Sequence, residues 1–200
     1  MRIVTVNGIP RSGSTLVQQL VEAVFFEVSP EILIQRTHPA IKLPEYGHCF
    51  ITIRHPYEVA ASRYRVRLSR DPNTGGKGGL VAEMNEMAKH YQALGSLYYL
   101  PHTLLHYEDF VTDYNIVYTA IEQYLGGILS PRMKERISNQ YNIISNKARS
   151  KKLSSFNEVD ITGIHGDHIS GMSWQSTLPE ELHQPMLDFC QPIAEYHHYE

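Results

Sequence analysis

Residues 8–15 constrain the fold of this chain more than any other segment. They read GIPRSGST, follow an apolar segment (residues 2–6) that predicts a short buried strand, and lead into apolar residues of helical spacing over residues 12–26. A helix N-terminus presents unsatisfied N–H groups and partial positive charge, and glycines let a backbone close around an anion. This order predicts a phosphate-binding loop, with Ser12 or Ser14 capping the helix.

The rest of the chain continues the alternation of strands and helices. Short β-branched or aromatic segments predict three more strands, at residues 32–34, 49–53 and 103–105. Apolar residues of helical spacing predict further helices over residues 56–68, 80–97, 113–124 and 179–196. Composition predicts loops at residues 71–79 and 140–173. The alternation predicts an α/β fold of three α/β/α layers around a central parallel sheet, in a single domain over residues 1–200.

Composition excludes several classes of protein. The net charge of −3 argues against a general binder of nucleic acid or of anionic membranes, whose surface would be basic. No apolar run approaches the roughly 18 residues that a membrane helix needs, and no signal-peptide pattern precedes the first strand. The two cysteines, Cys49 and Cys190, have no metal-site spacing. We therefore expect a cytoplasmic protein with no metal, no nucleic-acid partner and no membrane partner.

The predicted phosphate loop departs from the loop of nucleotide triphosphatases. That loop reads G-x-x-x-x-G-K-[ST], and Ser14 here takes the place of its lysine. The positive charge comes earlier, at Arg11. Without the lysine, a kinase of this type lacks its contact to the β- and γ-phosphates of ATP, so the loop favours a different phosphorylated ligand.

A second anion site is predicted at the end of the strand over residues 49–53. Arg54 follows that strand, and Ser62 lies eight residues later on the next helix, which can bring its hydroxyl back toward the strand end. A guanidinium and a hydroxyl at this location suit a second phosphate.

These two segments resemble the nucleotide-binding motifs of sulfotransferases that use 3′-phosphoadenosine-5′-phosphosulfate (PAPS). Residues 10–15 match the 5′-phosphosulfate loop, P-[KR]-[ST]-G-[ST]-[ST]. Residues 54–62 match the 3′-phosphate motif, R-[DN]-P-x-[DE]-x-x-x-S, with His55 in place of the Asp or Asn. The resemblance implies a P-loop NTPase-like sulfotransferase fold. It assigns PAPS to a donor site made of Arg11, Ser12, Gly13, Ser14, Thr15, Arg54, Ser62 and Tyr107.

The resemblance extends to three further segments. Residues 36–39 (RTHP) resemble the family segment K-T-H-x-P, which implies His38 as the catalytic base and Arg36 as support for the transferring group. Other branches of the family use a glutamate after the first helix, so Glu31, and less so Glu27, is the rival base. Residues 104–110 (LLHYEDF) resemble the strand that ends in Y-E-D-[LMF] and place Tyr107 near the adenine.

The C-terminal motif of the family is altered. Residues 168–174 (HISGMSW) resemble R-K-G-x-x-G-x-W with one inserted residue, and the Arg-Lys pair that clamps the 3′-phosphate is absent. Lys151, Lys152, His165 and His168 are possible substitutes, and Trp174 is either a packing anchor or a ligand contact.

The reaction that follows from the resemblance is in-line transfer of a sulfuryl group from PAPS to a hydroxyl or amine, without a metal. A P-loop kinase-like phosphotransferase and a non-catalytic nucleotide-binding module are the alternatives. Sugars, lipids, small metabolites and peptides are all open as acceptors.

Overall fold

The computed structural model describes residues 2–37, 47–150 and 173–199. Its centre is a sheet of four parallel strands in the order β2-β1-β3-β4. The strands are β1 (Ile3–Gly8), β2 (Leu33–Thr37), β3 (His48–Ile53) and β4 (His102–His106). All four predicted strands are confirmed. Their observed ends differ from the predicted ends by at most three residues.

Nine helices accompany the sheet in the described residues. They are α1 (Ser14–Val28), α2 (Pro56–Arg70), α3 (Gly76–Leu94), α4 (Tyr107–Phe110), α5 (Asn115–Leu125), α6 (Pro131–Tyr141), α7 (Ile143–Ser150), α8 (Trp174–Thr177) and α9 (His183–Tyr196). Short 3₁₀ turns at Pro72–Thr74 and Glu180–Leu182 precede α3 and α9. None of the described helices is both long and apolar enough to cross a membrane.

Two apolar cores, one on each face of the sheet, make the fold three layers deep. Side chains alternate between the faces of a strand, so Ile51 and Ile53 of β3 pack toward α2, α3 and α9, while Phe50 packs toward α1 and α5. Val4 and Val6 of β1 join Phe50 in the second core. The predicted α/β fold with helices on both faces of a parallel sheet is confirmed.

The predicted loop at residues 71–79 is largely wrong. The segment forms a 3₁₀ turn, and α3 already begins at Gly76. Its four glycines suggested a loop, but Gly79 instead permits close packing: a Cβ there would lie 2.0 Å from the carbonyl oxygen of Thr74. That carbonyl also accepts a hydrogen bond from Arg67 Nε at 3.2 Å. The end of α3 is also earlier than predicted, at Leu94.

The predicted loop at residues 140–173 is wrong where the structure describes it. Residues up to 141 complete α6, and residues 143–150 form α7. The sequence pattern missed α6 because Ile137 is its one fully buried apolar residue. Packing holds this helix instead: Tyr118 of α5 donates to the carbonyl of Lys134 at 3.1 Å. Residues 151–172 of the predicted loop lie outside the described residues.

Candidate functional site

One edge of the sheet collects the segments that the sequence singled out. β1 ends at Gly8 and lies beside β3, with Gly8 opposite Thr52, and β3 in turn pairs with β4. Because the strands are parallel, their carboxyl ends meet at the same edge. The phosphate loop (residues 8–15) follows β1, Arg54 follows β3, and Tyr107 follows β4. All three therefore lie at this edge.

The backbone of the phosphate loop is shaped to receive an anion. Arg11 has a φ of 81° and Gly13 a φ of 77°, both in the left-handed region. Between them, the N–H of Ser12 donates to the carbonyl of Ile9 at 3.0 Å. Left-handed residues in a turn direct successive N–H groups into a concavity, and the first N–H groups of a helix have no partner within it. The amides of residues 13–15, at the start of α1, thus suit an anion, whereas the amide of Ser12 already has the carbonyl of Ile9 as its acceptor.

The hydroxyl of Ser12 holds this loop against β3. Ser12 Oγ donates to the carbonyl of Thr52 at 2.9 Å and lies 2.6 Å from Thr52 Oγ1, and both residues are fully buried. The prediction that Ser12 or Ser14 caps α1 is wrong. The N-cap is Gly13, without a side-chain hydrogen bond, because Ser12 is engaged with β3 and Ser14 is already the first helical residue.

Gly8 is expected to tolerate no side chain. A Cβ there would lie 2.0 Å from Thr52 Oγ1 and 2.7 Å from Ser14 Cβ, so Gly8→Ala must displace the Ser12–Thr52 contact. Overpacking of this kind costs about 1–3 kcal/mol. We expect a lower unfolding midpoint in thermal denaturation. Gly127→Ala is the matched control, because a Cβ on Gly127 meets nothing within 4 Å. Equal midpoints for both variants would contradict this packing.

Arg11 joins the two predicted anion motifs. Its Nε donates to Ser62 Oγ at 3.1 Å, across 51 residues of sequence. Its carbonyl oxygen accepts from Nη1 of Arg54 at 3.4 Å. Ser62 is buried, and since its oxygen accepts from Arg11, its hydroxyl proton can be donated elsewhere. The structure thus brings the phosphate loop, Arg54 and Ser62 into direct contact.

The positive charges at this edge repel one another. Burial, followed by the nearby charges of Arg54 and Arg65, lowers the pKa of Arg11 from 12.5 to about 10. A lowered pKa means that the charged form of Arg11 is disfavoured by its surroundings. An anion placed between Arg11 and Arg54 would remove that penalty, so the electrostatics favour a strongly anionic ligand.

Arg54 is held on three sides. Its Nη2 pairs with Oε2 of Glu58 at 3.2 Å, and its guanidinium carbon lies 4.4 Å from the ring centroid of Tyr107. The hydroxyl of Tyr91 donates to the backbone carbonyl oxygen of Arg54. The side chain is only 12% exposed, and its Nε has no hydrogen-bond partner in the described residues.

Tyr107 packs between Arg54 and the phosphate loop. Arg54 covers its ring, and a Cβ on Gly13 would lie 2.8 Å from Tyr107 Cδ2 and from Phe110 Cζ. Gly13 is therefore required both for its left-handed φ and for this close approach. The resemblance places this ring near the adenine of the donor. In the structure the ring contacts the guanidinium of Arg54 and lies against Gly13 of the phosphate loop.

Arg36 approaches the loop from β2. Its Nη1 donates to Thr15 Oγ1 at 2.7 Å, which places a second guanidinium beside the first turn of α1. β2 lies next to β1 in the sheet, with Arg36 opposite Val6. Three arginines therefore surround the anion site: Arg36 from β2, Arg11 within the loop and Arg54 after β3.

Comparison with known proteins shows which fold this chain has. No protein-family model matches the sequence, and no curated protein matches it significantly. Solved structures do match. A retinol dehydratase in complex with androsterone and the inactive cofactor PAP has a TM-score of 0.66 at 15% identity, covering 98% of this chain and 82% of that one. Mouse sulfotransferase SULT7A1 complexed with PAP has a TM-score of 0.63 at 13% identity, covering 97% and 85%. A sulfotransferase domain from the Synechococcus PCC 7002 olefin synthase has a TM-score of 0.58 at 17% identity, covering 97% and 94%.

The chain has the sulfotransferase fold. The match runs along nearly the whole chain, so the resemblance found in short motifs is confirmed for the fold.

The two glutamates considered as bases lie away from the carboxyl edge of the sheet in this sulfotransferase fold. Glu31 is exposed and precedes β2, so it lies at the amino edge, about 16 Å from the carboxyl edge for five strand residues. Glu27 is near the end of α1, where it pairs with Arg136. Neither is brought together with Arg11. His38 lies outside the described residues. Its chain neighbour Thr37 ends β2 at the carboxyl edge and accepts from Nδ2 of Asn7 at 2.7 Å.

Two contacts of the site were missed by sequence reasoning. Glu58 matched the 3′-phosphate motif but received no role, because Arg54 precedes α2 and the i,i+4 spacing that predicts an ion pair applies within a helix. Its second oxygen accepts from the N–H of Trp174 at 3.0 Å, across 116 residues of sequence. Thr52 was read only as a strand residue, yet it anchors Ser12. No local pattern marks contacts of such sequence separation.

Candidate metal ligands do not cluster in the part of this sulfotransferase fold that the structure describes. Over residues 2–37, 47–150 and 173–199, no three His, Cys, Asp or Glu side chains lie where one metal ion could join them. The cationic groups at the carboxyl edge of the described sheet are arginines.

Proposed function

We propose that this protein transfers a sulfuryl group from PAPS to a hydroxyl or amine of an acceptor, releasing adenosine 3′,5′-bisphosphate (PAP). The observation that carries the proposal is the hydrogen bond from Arg11 to Ser62. It joins a phosphate loop to a second anion motif at one sheet edge, as a nucleotide with phosphates on both the 5′ and 3′ positions requires. The structural neighbours support the donor, because a retinol dehydratase and mouse SULT7A1 were both solved with PAP.

The residues of the edge divide between the two ends of the donor. The backbone N–H groups of residues 13–15 hold the 5′-phosphate, and Arg11 stabilises the negative charge that develops on the oxygen bridging phosphorus and sulfur. Arg54 and the hydroxyl of Ser62 hold the 3′-phosphate, which separates PAPS from ATP. Arg36, bonded to Thr15, stabilises the sulfuryl oxygens.

We assign the catalytic base to His38. An imidazole with a pKa near its ordinary value can accept a proton at neutral pH. In the proposed step the acceptor O–H or N–H gives its proton to His38, and the acceptor atom forms the new bond to sulfur. The bond from sulfur to the bridging oxygen breaks, and its electron pair stays on the 5′-phosphate of PAP. Glu31 receives no role, because it precedes β2 at the opposite edge.

The proposal also covers the domain organisation and the location of the protein. We propose a single domain over residues 1–200 and a cytoplasmic location, with which the two free cysteines are consistent. Cys49 and Cys190 are both buried, and burial raises the pKa of each thiol to about 12, so neither is a reactive nucleophile.

A nucleotide screen by thermal denaturation tests the donor. PAP at about 100 times its dissociation constant adds about 2.7 kcal/mol of stability, which for a chain of this length raises the unfolding midpoint by about 5–10 °C. AMP, ATP and NAD at the same concentration should each raise it by less than half as much. Stabilisation by ATP equal to that by PAP would contradict the proposal.

Turnover tests the chemistry and separates the alternatives. PAPS is incubated with a panel of phenols, alcohols, sugars, amines and peptides, and released PAP is measured. We expect at least one acceptor to be sulfated without added metal. Magnesium-dependent ATP consumption would instead indicate a kinase-like phosphotransferase. Tight PAP binding without transfer to any acceptor would indicate a non-catalytic module.

A further inference from the structure

Both oxygens of the Glu58 carboxylate are engaged by different parts of the chain. Oε2 pairs with Nη2 of Arg54 at 3.2 Å, and Oε1 accepts from the backbone N–H of Trp174 at 3.0 Å. Glu58 lies in the first turn of α2, and its side chain is 23% exposed. One half-buried carboxylate therefore connects the arginine proposed for the 3′-phosphate with the C-terminal part of the chain.

The C-terminal partner in this connection is firmly placed. Trp174 begins α8, which is capped by the hydroxyl of Ser173. The indole ring lies 5.6 Å from the ring of Tyr57 on α2 and 5.0 Å from that of His183 on α9. Trp174 is thus a packing anchor, and it is its backbone N–H that is directed at Glu58.

Arg54 keeps donors available while it is held in this way. A guanidinium has five N–H donors in a fixed plane. One is used by Glu58 and one by the carbonyl of Arg11, and the π face rests on Tyr107. Nε is buried without a hydrogen-bond partner in the described part of the chain. The side chain is therefore fixed in orientation while retaining N–H groups that could bind an anion.

We propose that Glu58 is a positioning residue that sets the selectivity of this protein for a 3′-phosphorylated nucleotide. Through Glu58, the C-terminal segment that begins at Trp174 supports Arg54 indirectly. An arginine already held in place loses less side-chain entropy on binding phosphate than one that is free to rotate. The inference rests on the proposed function, and it gives a role to the C-terminal segment although the Arg-Lys pair of the resembled motif is absent.

Glu58→Gln removes the negative charge and one of the two acceptor oxygens. The NH2 group of glutamine is a donor, so the two positions that now accept from Arg54 and from Trp174 cannot both be filled by an acceptor oxygen. We expect PAP to bind about tenfold more weakly, as loss of a charge-assisted hydrogen bond to the supporting group predicts. AMP, which lacks the 3′-phosphate, should change by less than twofold.

Glu83→Gln is the matched control. Glu83 also pairs with arginines of α2, at 3.0 Å from Arg63 and 3.2 Å from Arg67, but it does not contact Arg54. Calorimetric titrations of the wild type and both variants with PAP and with AMP give the selectivity ratio directly. A purely structural role of Glu58 would weaken both nucleotides alike. An unchanged ratio in Glu58→Gln, or tighter PAP binding, overturns the inference.

The wild-type protein gives a second readout that needs no variant. Trp174 is the only tryptophan of the chain, and one carboxylate separates its N–H from Arg54. Binding of PAP is expected to shift the fluorescence of Trp174. Binding of AMP at equal saturation should leave that fluorescence unchanged. PAP binding without a shift overturns the inference. If the wild type binds PAP no better than AMP, the proposed function is wrong and this inference fails with it. If the wild type prefers PAP and Glu58→Gln prefers it equally, only this inference is wrong.

Discussion

Arg11→Ala is expected to lower the rate of sulfuryl transfer by about 10²–10³-fold, the usual effect of removing one group that stabilises transition-state charge. Arg11 is placed for this role by its left-handed backbone, with φ 81°, and by the hydrogen bond from its Nε to Ser62. PAP affinity should fall less, by about tenfold, because the backbone N–H groups of residues 13–15 and Arg54 remain. The measurement is kcat under saturating PAPS beside the dissociation constant of PAP.

Two controls isolate the charge of Arg11 from the integrity of the fold. Burial and the neighbouring arginines lower the pKa of Arg11 to about 10, so its charged form opposes folding at neutral pH. Losing that charge should therefore leave the unfolding midpoint unchanged or raised. Arg132→Ala, at an exposed position of α6, should match the wild type in every assay. Equal kcat for Arg11→Ala and wild type would reject the role given to Arg11.

Arg54→Ala is expected to weaken PAP by about 100-fold and AMP by less than threefold. A charge-assisted hydrogen bond is worth about 1.5–3 kcal/mol, and Arg54 is proposed to direct such bonds at the 3′-phosphate alone. The side chain is held by Glu58 and Tyr107, so its loss removes a fixed charge at one location. Calorimetry with both nucleotides measures the two losses in the same buffer.

Arg63→Ala is the matched control for Arg54. Arg63 lies on α2, the helix that follows Arg54, and pairs with Glu83 at 3.0 Å. Its removal lowers the net positive charge by the same amount and should weaken both nucleotides slightly and equally. Equal losses of PAP and AMP in Arg54→Ala would show that Arg54 contributes only general positive charge, and the second anion site would have to be abandoned.

Features encoded by neighbouring residues were predictable from the sequence. The apolar periods gave four parallel strands with helices on both faces, and the order strand, glycine-bearing loop and helix located the phosphate loop. Since parallel strands end at one edge, the nearness of Arg11 and Arg54 followed from the fold. Their roles in binding and catalysis stay predictions.

Features that depend on packing were not predictable. The glycines of residues 71–79 suggested a loop, yet Gly79 lets α3 approach the carbonyl of Thr74. α6 and α7 were missed because polar and charged residues make up most of both helices, although Met133, Ile137 and Tyr141 of α6 follow a helical period. The contact between Glu58 and Trp174 spans 116 residues, and no local pattern encodes it.

Tyr107 shows which part of a motif the sequence specifies and which part the fold adds. The resemblance located the tyrosine directly after β4, and its place near the adenine stays a prediction. The structure adds that one side of its ring contacts Arg54 and that Gly13 approaches it closely. A sequence motif specifies which residue is present, whereas neighbours from two other strand ends decide what its ring contacts.

A crystal structure of the protein with PAP tests the central claim most directly. We expect the 5′-phosphate within hydrogen-bonding distance of the backbone amides of residues 13–15, and the 3′-phosphate bonded to Arg54 and Ser62 in the same molecule. A bound PAP whose 3′-phosphate points to solvent, away from both of these side chains, would contradict the account.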